Sequence, residues 1–361
     1  MSCYHPMIAY PTNIVDGKQQ YKIKKAENNS IEAVKKDGAI IIPCGKCIGC
    51  RLDYSRKWAD RMMLEYDNTK KAVFLTLTYS DNNLIDNKYR HYSLIVDSNT
   101  EDGVKYATLD KRDFQLFMKR LRKDEYFNRF KLRFFLAGEY GTKTLRPHAH
   151  IILFGVDIND IPDCYPSIGV EFEGVKKSKY KYKYYHSDYL DKIWSNGYVT
   201  IAEVNWQTCA YVARYSTKKL ENRIGYDERN VIPEFSLMSR KPGIGGLYLK
   251  EHPNCLDLIN IPIPYKEDIK KIAIPRYFID QLGKEDFKDI SKLLVLPDYQ
   301  KYAKILDDRR KFASDQMLLS LGEQDLGLCD YLANKEKEVR EKGLNKLHKY
   351  RNKADGEVIN V

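Results

Sequence analysis

The 361-residue chain has no apolar run approaching the length needed to cross a bilayer. Its first residues, MSCYHPMIAY, lack the basic stretch and apolar core of a secretory leader. These two absences predict a cytosolic protein with no membrane partner. A phosphate-cradling loop of the form GxxxxGK[ST] is also missing, since the Gly-Lys steps continue as GKQ, GKC and GKE. No nucleoside triphosphate site is therefore expected. Nor is there a second CxxC pair to complete the cysteine group near the N-terminus.

Positive charge and tyrosine are plentiful. Lys and Arg outnumber Asp and Glu by 61 to 50, for a formal charge of +11 and a pI near 9.0. This balance favours a polyanionic partner such as nucleic acid. The 28 tyrosines suit stacking on bases. Eight cysteines in a reducing compartment argue against a disulfide framework and for thiols or metal ligands.

The segment PCGKCIGCR places Cys44, Cys47 and Cys50 at CxxCxxC spacing. Such short gaps with glycine let thiolates turn toward one centre, but a closed zinc site needs a fourth ligand, for which Cys3 and His5 are the candidates. A ferredoxin-type cluster calls for a further cysteine followed by proline, whereas this stretch continues Arg51, Leu52, Asp53, Tyr54. Zinc is therefore preferred to iron-sulfur. Reduced cysteines in a turn without metal remain the alternative.

Apolar periodicity predicts a helix over 52–66 and another over 110–123, the second with Phe114, Phe117, Met118 and Leu121 on one face. Strands are predicted over 72–79, 131–141, 146–155 and 197–204, where β-branched and aromatic residues concentrate. In RPHAHIILFG the period of two turns His148 and His150 to one face and Ala149, Ile151 and Leu153 to the other. Glu139 ends the preceding strand, so an antiparallel turn brings a carboxylate beside two imidazoles. That set would leave positions open on a divalent ion. Thr76 and Thr78 share a face of the 72–79 strand, lining a groove or serving only as strand residues. The run KKSKYKYKYYH at 176–186 reads first as an edge hairpin and second as a nucleic-acid surface. Asn205 is the expected N-cap of a helix from Trp206. On it Tyr211 and Tyr215 stand one turn apart, with Lys218 and Lys219 a turn beyond. A tyrosine stripe of this kind either packs on a sheet or presents two nucleophiles.

The ordered set FLTLTY, GEYG with RPHAHIILFG, and YVARYSTKK resembles the three motifs of the HUH rolling-circle replication initiators. With CGKCIGCR and FSLMSRKPGIG, the chain is similar to the initiators of gokushovirus-type microviruses, small single-stranded DNA phages. The resemblance covers the chain to about residue 276.

It implies an α+β fold: a central antiparallel sheet of the HUH endonuclease (RRM-like) type with an internal histidine strand and flanking helices. The two-tyrosine helix would pack across the metal face, and the 110–123 helix behind. Expected domains are a Cys-rich element and helix over 1–70, the endonuclease core over 71–225 and a mostly helical extension over 226–361.

The resemblance further implies Mg or Mn on His148, His150 and Glu139, and attack by Tyr211 or Tyr215 on a scissile phosphate. The products would be a 5′-phosphotyrosyl link and a free 3′-hydroxyl, and the ends are later rejoined. Lys218, with Lys219 as runner-up, would offset developing charge. Thr76, Thr78, Arg146, Lys179 and Lys181 are further positions expected to meet DNA. Single-stranded origin DNA and a host helicase and polymerase are the implied partners, in the cytoplasm of the host cell. HIT-type hydrolases would need a histidine where Ile152 stands. A non-catalytic zinc-containing nucleic-acid-binding protein and a related transposase or relaxase are the other readings.

Overall fold

Strict alternation along four antiparallel strands organises the molecule. The computed structural model describes residues 3–15, 18–27, 38–80, 83, 92–95, 104–141, 145–167, 183–215, 226–227, 231–258, 260–265, 268–282, 284, 287, 308, 327, 329–339 and 341. In chain order these hold β1 (Met7–Val15), β2 (Lys18–Lys25), β3 (Ile40–Ile42), α1 (Ile48–Thr69), β4 (Ala72–Tyr79), β5 (Tyr92–Ile95) and β6 (Val104–Ala107). Then come α2 (Lys111–Lys123), β7 (Arg133–Tyr140), β8 (Pro147–Phe154), β9 (Cys164–Pro166), β10 (Tyr184–Ser187), α3 (Asp188–Trp194), β11 (Gly197–Glu203) and α4 (Trp206–Tyr215). β12 (Phe235–Met238), α5 (Gly246–Glu251), β13 (Ile261–Tyr265), β14 (Asp268–Ile272) and α6 (Arg276–Gln281) follow, and a further helix, α7, covers 329–339.

The chain divides into two compact units. One comprises 1–53, 171–179 and 291–361; the other comprises 54–170 and 180–290. This differs from the three consecutive blocks expected. Phe235–Met238, placed by the sequence in a mostly helical extension, is instead an edge strand of the main sheet, and β13 and β14 form a hairpin beyond it. The reason is local: Phe235 pairs with Gly138, whose missing side chain makes room for the ring, since a Cβ there would lie 3.1 Å from Phe235 Cζ. The segment 300–321, expected to be helical, lies outside the described residues apart from residue 308.

The second unit is built on a seven-stranded sheet in the order β12-β7-β8-β4-β11-β10-β9, every pair antiparallel. The histidine strand β8 is internal, between β7 and β4. One face carries Val73, Leu75, Leu77, Leu136, Ala149, Ile151, Leu153, Val199 and Ile201, all buried in one core with Phe114, Phe117 and Leu121 of α2 and Trp194 of α3. Phe114 and Trp194 stack with ring centroids 5.5 Å apart. Asp110 caps α2 by accepting the Arg112 N–H at 2.7 Å. The basic end of α2 serves a neighbour as well: Arg120 donates to the Ile193 and Trp194 carbonyls, the open C-terminal end of α3.

The opposite face carries Phe74, Thr76, Thr78, Phe135, Glu139, His148, His150 and Ile152, the other half of the alternation. α1 and α4 pack on it. Trp58 of α1 meets Phe135 at 5.0 Å, and Cys209 of α4 lies against Met63 of α1. Glu65 is fully buried and is paired with Arg133 of β7. Glu65 also accepts the Gly245 N–H, while Arg133 donates to the Pro242 and Gly243 carbonyls. The RKPGIG loop is thereby tied to helix and sheet.

The first unit contains the sheet β2-β1-β3 and a small apolar cluster of Ile8, Ala39, Ile41, Tyr331 and Leu332. Among the described residues no helix is long and apolar enough to cross a membrane.

Candidate active site and metal centre

Antiparallel register sets the site. Glu139 of β7 pairs directly with His148 of β8, and on the other side of β8, His148 pairs with Thr78 and His150 with Thr76 of β4. The Glu139 Oε1 lies 2.7 Å from His148 Nε2 and 3.3 Å from His150 Nε2. Glu139 and His150 are buried and His148 is half-buried.

Each ring is oriented through its other nitrogen. His148 Nδ1 donates to the Arg146 carbonyl at 3.1 Å, and His150 Nδ1 lies 2.9 Å from Thr76 Oγ1. Both Nε2 atoms therefore converge on the carboxylate, the arrangement by which outer partners orient metal-binding imidazoles. All three donor atoms lie within 4.8 Å of one another. Two imidazole nitrogens and one carboxylate oxygen fit a divalent ion with coordination positions left over for substrate. Burial by itself pushes the Glu139 carboxyl up, but hydrogen bonds from His148 and His150 outweigh it and hold the group down at about 2.

The two-tyrosine helix lies over this triad. Asn205 caps it as expected: its Oδ1 accepts the Thr208 N–H, and Thr208 Oγ1 accepts the Asn205 N–H, each at 2.9 Å. The Tyr211 and Tyr215 rings stand 5.2 and 5.3 Å from the His150 ring and 4.7 Å from each other. Tyr211 is 40 % exposed and Tyr215 only 8 %. Burial raises the Tyr211 phenol above its usual range, partly opposed by the hydrogen bond from Tyr215. Burial and then the Glu139 carboxylate push Tyr215 up as well. A cation close to either phenol would be needed to favour its ionised form.

Several residues that position this helix carry no sequence signal. Trp206 Nε1 donates to Asp60 of α1 at 2.7 Å, and Lys270 of β14 lies 2.6 Å from the same carboxylate and 4.1 Å from the Trp206 ring centroid. Phe74 packs against both His150 and Tyr211. Partners so far apart in the chain leave no periodicity or spacing to read. Thr76, expected at a DNA groove, is engaged with His150, while Thr78 sits beside His148 on the same face. Arg146 donates to the Tyr79 carbonyl, joining the start of β8 to the end of β4. Lys179, Lys181, Lys218 and Lys219 lie outside the described residues.

The cysteine group assembles separately, in the first unit. Cys3, Cys44, Cys47 and Cys50 converge, whereas His5, the other candidate fourth ligand, is instead engaged by Glu336 of α7 at 2.6 Å.

With the geometry in place, comparison with known proteins is informative. The family model for replication-associated proteins of the ORF2 type matches residues 72–220, which begin at the first residue of β4 and include the triad and both tyrosines. Replication-associated protein ORF2 of Spiroplasma virus 4 is 29% identical over 356 residues, covering 94% of this chain and 95% of that one. Replication-associated protein VP4 of Bdellovibrio phage phiMH2K is 29% identical over 293 residues, covering 77% and 81%. The chain belongs to the phage replication-associated proteins. Within this family it is also similar to replication-associated protein ORF4 of Chlamydia phage 1, 30% identical over 180 residues that make up 49% of this chain and 38% of that one. No solved structure matches the chain.

Proposed function

We propose that the chain initiates rolling-circle replication by cutting single-stranded origin DNA with a tyrosine nucleophile and later rejoining the ends, with an HUH-type endonuclease sheet as its scaffold. The observation that carries this is the placement of two phenols against His150, one of three convergent ligands.

His148, His150 and Glu139 would hold Mg or Mn, which supplies Lewis acidity toward the scissile phosphate. Tyr211, the more exposed phenol, attacks phosphorus first. As its oxygen bonds to phosphorus, the bond from phosphorus to the 3′-oxygen breaks. The proton that the phenol gives up balances the one gained by the released 3′-hydroxyl. Tyr215 lies one helical turn along and performs the second transfer, when the regenerated origin is cut and the first strand end is released. Lys218 and Lys219 follow on the chain and would offset charge at the phosphate. A polyanionic substrate agrees with the net charge of +11. Strand opening and synthesis would fall to a host helicase and polymerase.

The test is incubation of the purified chain with labelled single-stranded origin DNA and Mn, followed by denaturing electrophoresis. A slowly migrating adduct mapped by mass spectrometry to Tyr211 or Tyr215 is expected. If no adduct forms, and Tyr211→Phe with Tyr215→Phe leaves cutting and DNA affinity unchanged, the enzymatic reading is wrong and a non-catalytic DNA-binding role replaces it.

A further inference from the structure

A second group of ligands lies in the first unit, apart from the chemistry described above. Cys3 immediately precedes β1, Cys44 and Cys47 occupy the turn between β3 and α1, and Cys50 sits in the first turn of α1. All four sulfurs lie within 4.8 Å of one another, although 41 residues separate Cys3 from Cys44. None is in a disulfide.

The spacings match a single tetrahedral ion. Four thiolates at about 2.3 Å from zinc stand roughly 3.8 Å apart along the edges of the tetrahedron. Cys3 Sγ and Cys47 Sγ are 3.9 Å apart, and Cys44 Sγ and Cys50 Sγ are 4.0 Å apart. A disulfide would bring a pair to about 2.05 Å.

Backbone N–H groups already point at the sulfurs. Tyr4 N–H donates to Cys47 Sγ at 3.3 Å and Cys44 N–H donates to Cys3 Sγ at 3.2 Å. Lys46 and Cys47 N–H both donate to Cys44 Sγ at 3.4 Å. Such donors stabilise thiolates, the form that binds metal. With four protein ligands no coordination position stays open, so the site is structural and not catalytic.

The surrounding unit has a use for it. Its apolar cluster contains five buried residues among those described. A core of that size contributes little, and small units of this kind commonly depend on a metal or other cross-link.

We propose that Cys3, Cys44, Cys47 and Cys50 form a closed zinc site that ties the N-terminal segment to the β3–α1 turn and the start of α1. His5 takes no part, being held by Glu336. The proposal does not depend on the nicking chemistry.

Elemental analysis of the full-length chain, purified without added metal, tests it. About one zinc per chain is expected. It should survive His5→Ala and the double change His148→Ala with His150→Ala, and fall several-fold in Cys47→Ser. Because Cys47→Ser could unfold the unit, the wild-type chain is also reloaded with cobalt. Intense thiolate-to-cobalt absorption in the near ultraviolet with tetrahedral visible bands supports the site. Sub-stoichiometric zinc, iron in its place, zinc unchanged in Cys47→Ser, or cobalt bands without thiolate absorption would each overturn it.

Discussion

Glu139 and His148 face each other as a directly registered cross-strand pair, with the carboxylate 2.7 Å from Nε2, because β7 and β8 join through a turn that keeps them antiparallel. His150, two residues on, points to the same face and reaches the same oxygen at 3.3 Å. A sheet edge or a one-residue slip in register would send these groups to different faces.

This geometry predicts the acid response of the metal-free protein. The Glu139 carboxyl is held down at about 2 against an ordinary 4.5, so its ionised form stabilises the fold above pH 4.5, and that contribution disappears as pH falls toward 2. The full effect is roughly 3 kcal/mol. Urea unfolding of chelator-treated protein at stepped pH should show wild type losing more stability across this window than Glu139→Gln. Parallel curves would mean that the imidazoles do not hold the carboxylate ionised.

The two phenols should behave unequally. Tyr211 is exposed and Tyr215 is mostly covered, so Tyr211→Phe is expected to lower the initial cutting rate by about 100-fold or more. Tyr215→Phe should leave the first cut largely intact but stop the second transfer, leaving the covalent adduct to accumulate. Time courses of cutting and rejoining on one labelled strand separate the two. Equal loss of the first cut in both variants would contradict this order.

Thr76 orients the imidazole of His150 from 2.9 Å. Thr76→Val keeps the branched shape that suits β4 but removes the hydroxyl. Mn affinity measured by calorimetry should weaken by about 10- to 100-fold, with thermal stability little changed. Thr76→Ser should recover most of the affinity. If Thr76→Val binds Mn like wild type, the ring is oriented by packing against Phe74 and the tyrosines instead.

Glu65 predicts a stability defect remote from the chemistry. It is fully buried, pairs with Arg133 and accepts the Gly245 N–H at 2.6 Å. Glu65→Ala leaves a largely buried guanidinium without its carboxylate, at a cost of about 3 to 5 kcal/mol. Denaturant unfolding gives the value, and the double change Glu65→Met with Arg133→Met should recover part of it. A loss below about 1 kcal/mol would show that the Pro242 and Gly243 carbonyls suffice for Arg133.

Much of the second unit is legible in one dimension. Ala72–Tyr79 is a strand over its whole expected span, and α2 begins after Asp110, which caps it. Asn205 caps α4 as its position suggests, and His148 and His150 share a face because a strand repeats every two residues. Phe235–Met238 carries no such signal, and the sequence assigns it wrongly to a helical extension. Four residues are too few to reveal a period, and what makes them a strand is the space above Gly138, almost a hundred positions earlier. Cys3 and His5 are equally plausible fourth ligands from spacing alone. Glu336, more than 300 residues away, engages His5 and leaves the set to Cys3.

By itself the sequence determined the donors: two imidazoles and a carboxylate on neighbouring strands, two phenols one helical turn apart, and three cysteines at turn spacing. Backbone periodicity is local, so these relations need only a few consecutive residues. Tertiary structure alone decided which atoms converge. The orientation of His150 by Thr76, the anchoring of α4 through Trp206, Asp60 and Lys270, and the burial that separates Tyr215 from Tyr211 all join residues distant in the chain. Packing and hydrogen bonding act through space, and separation along the chain carries no trace of them until the sheet has closed.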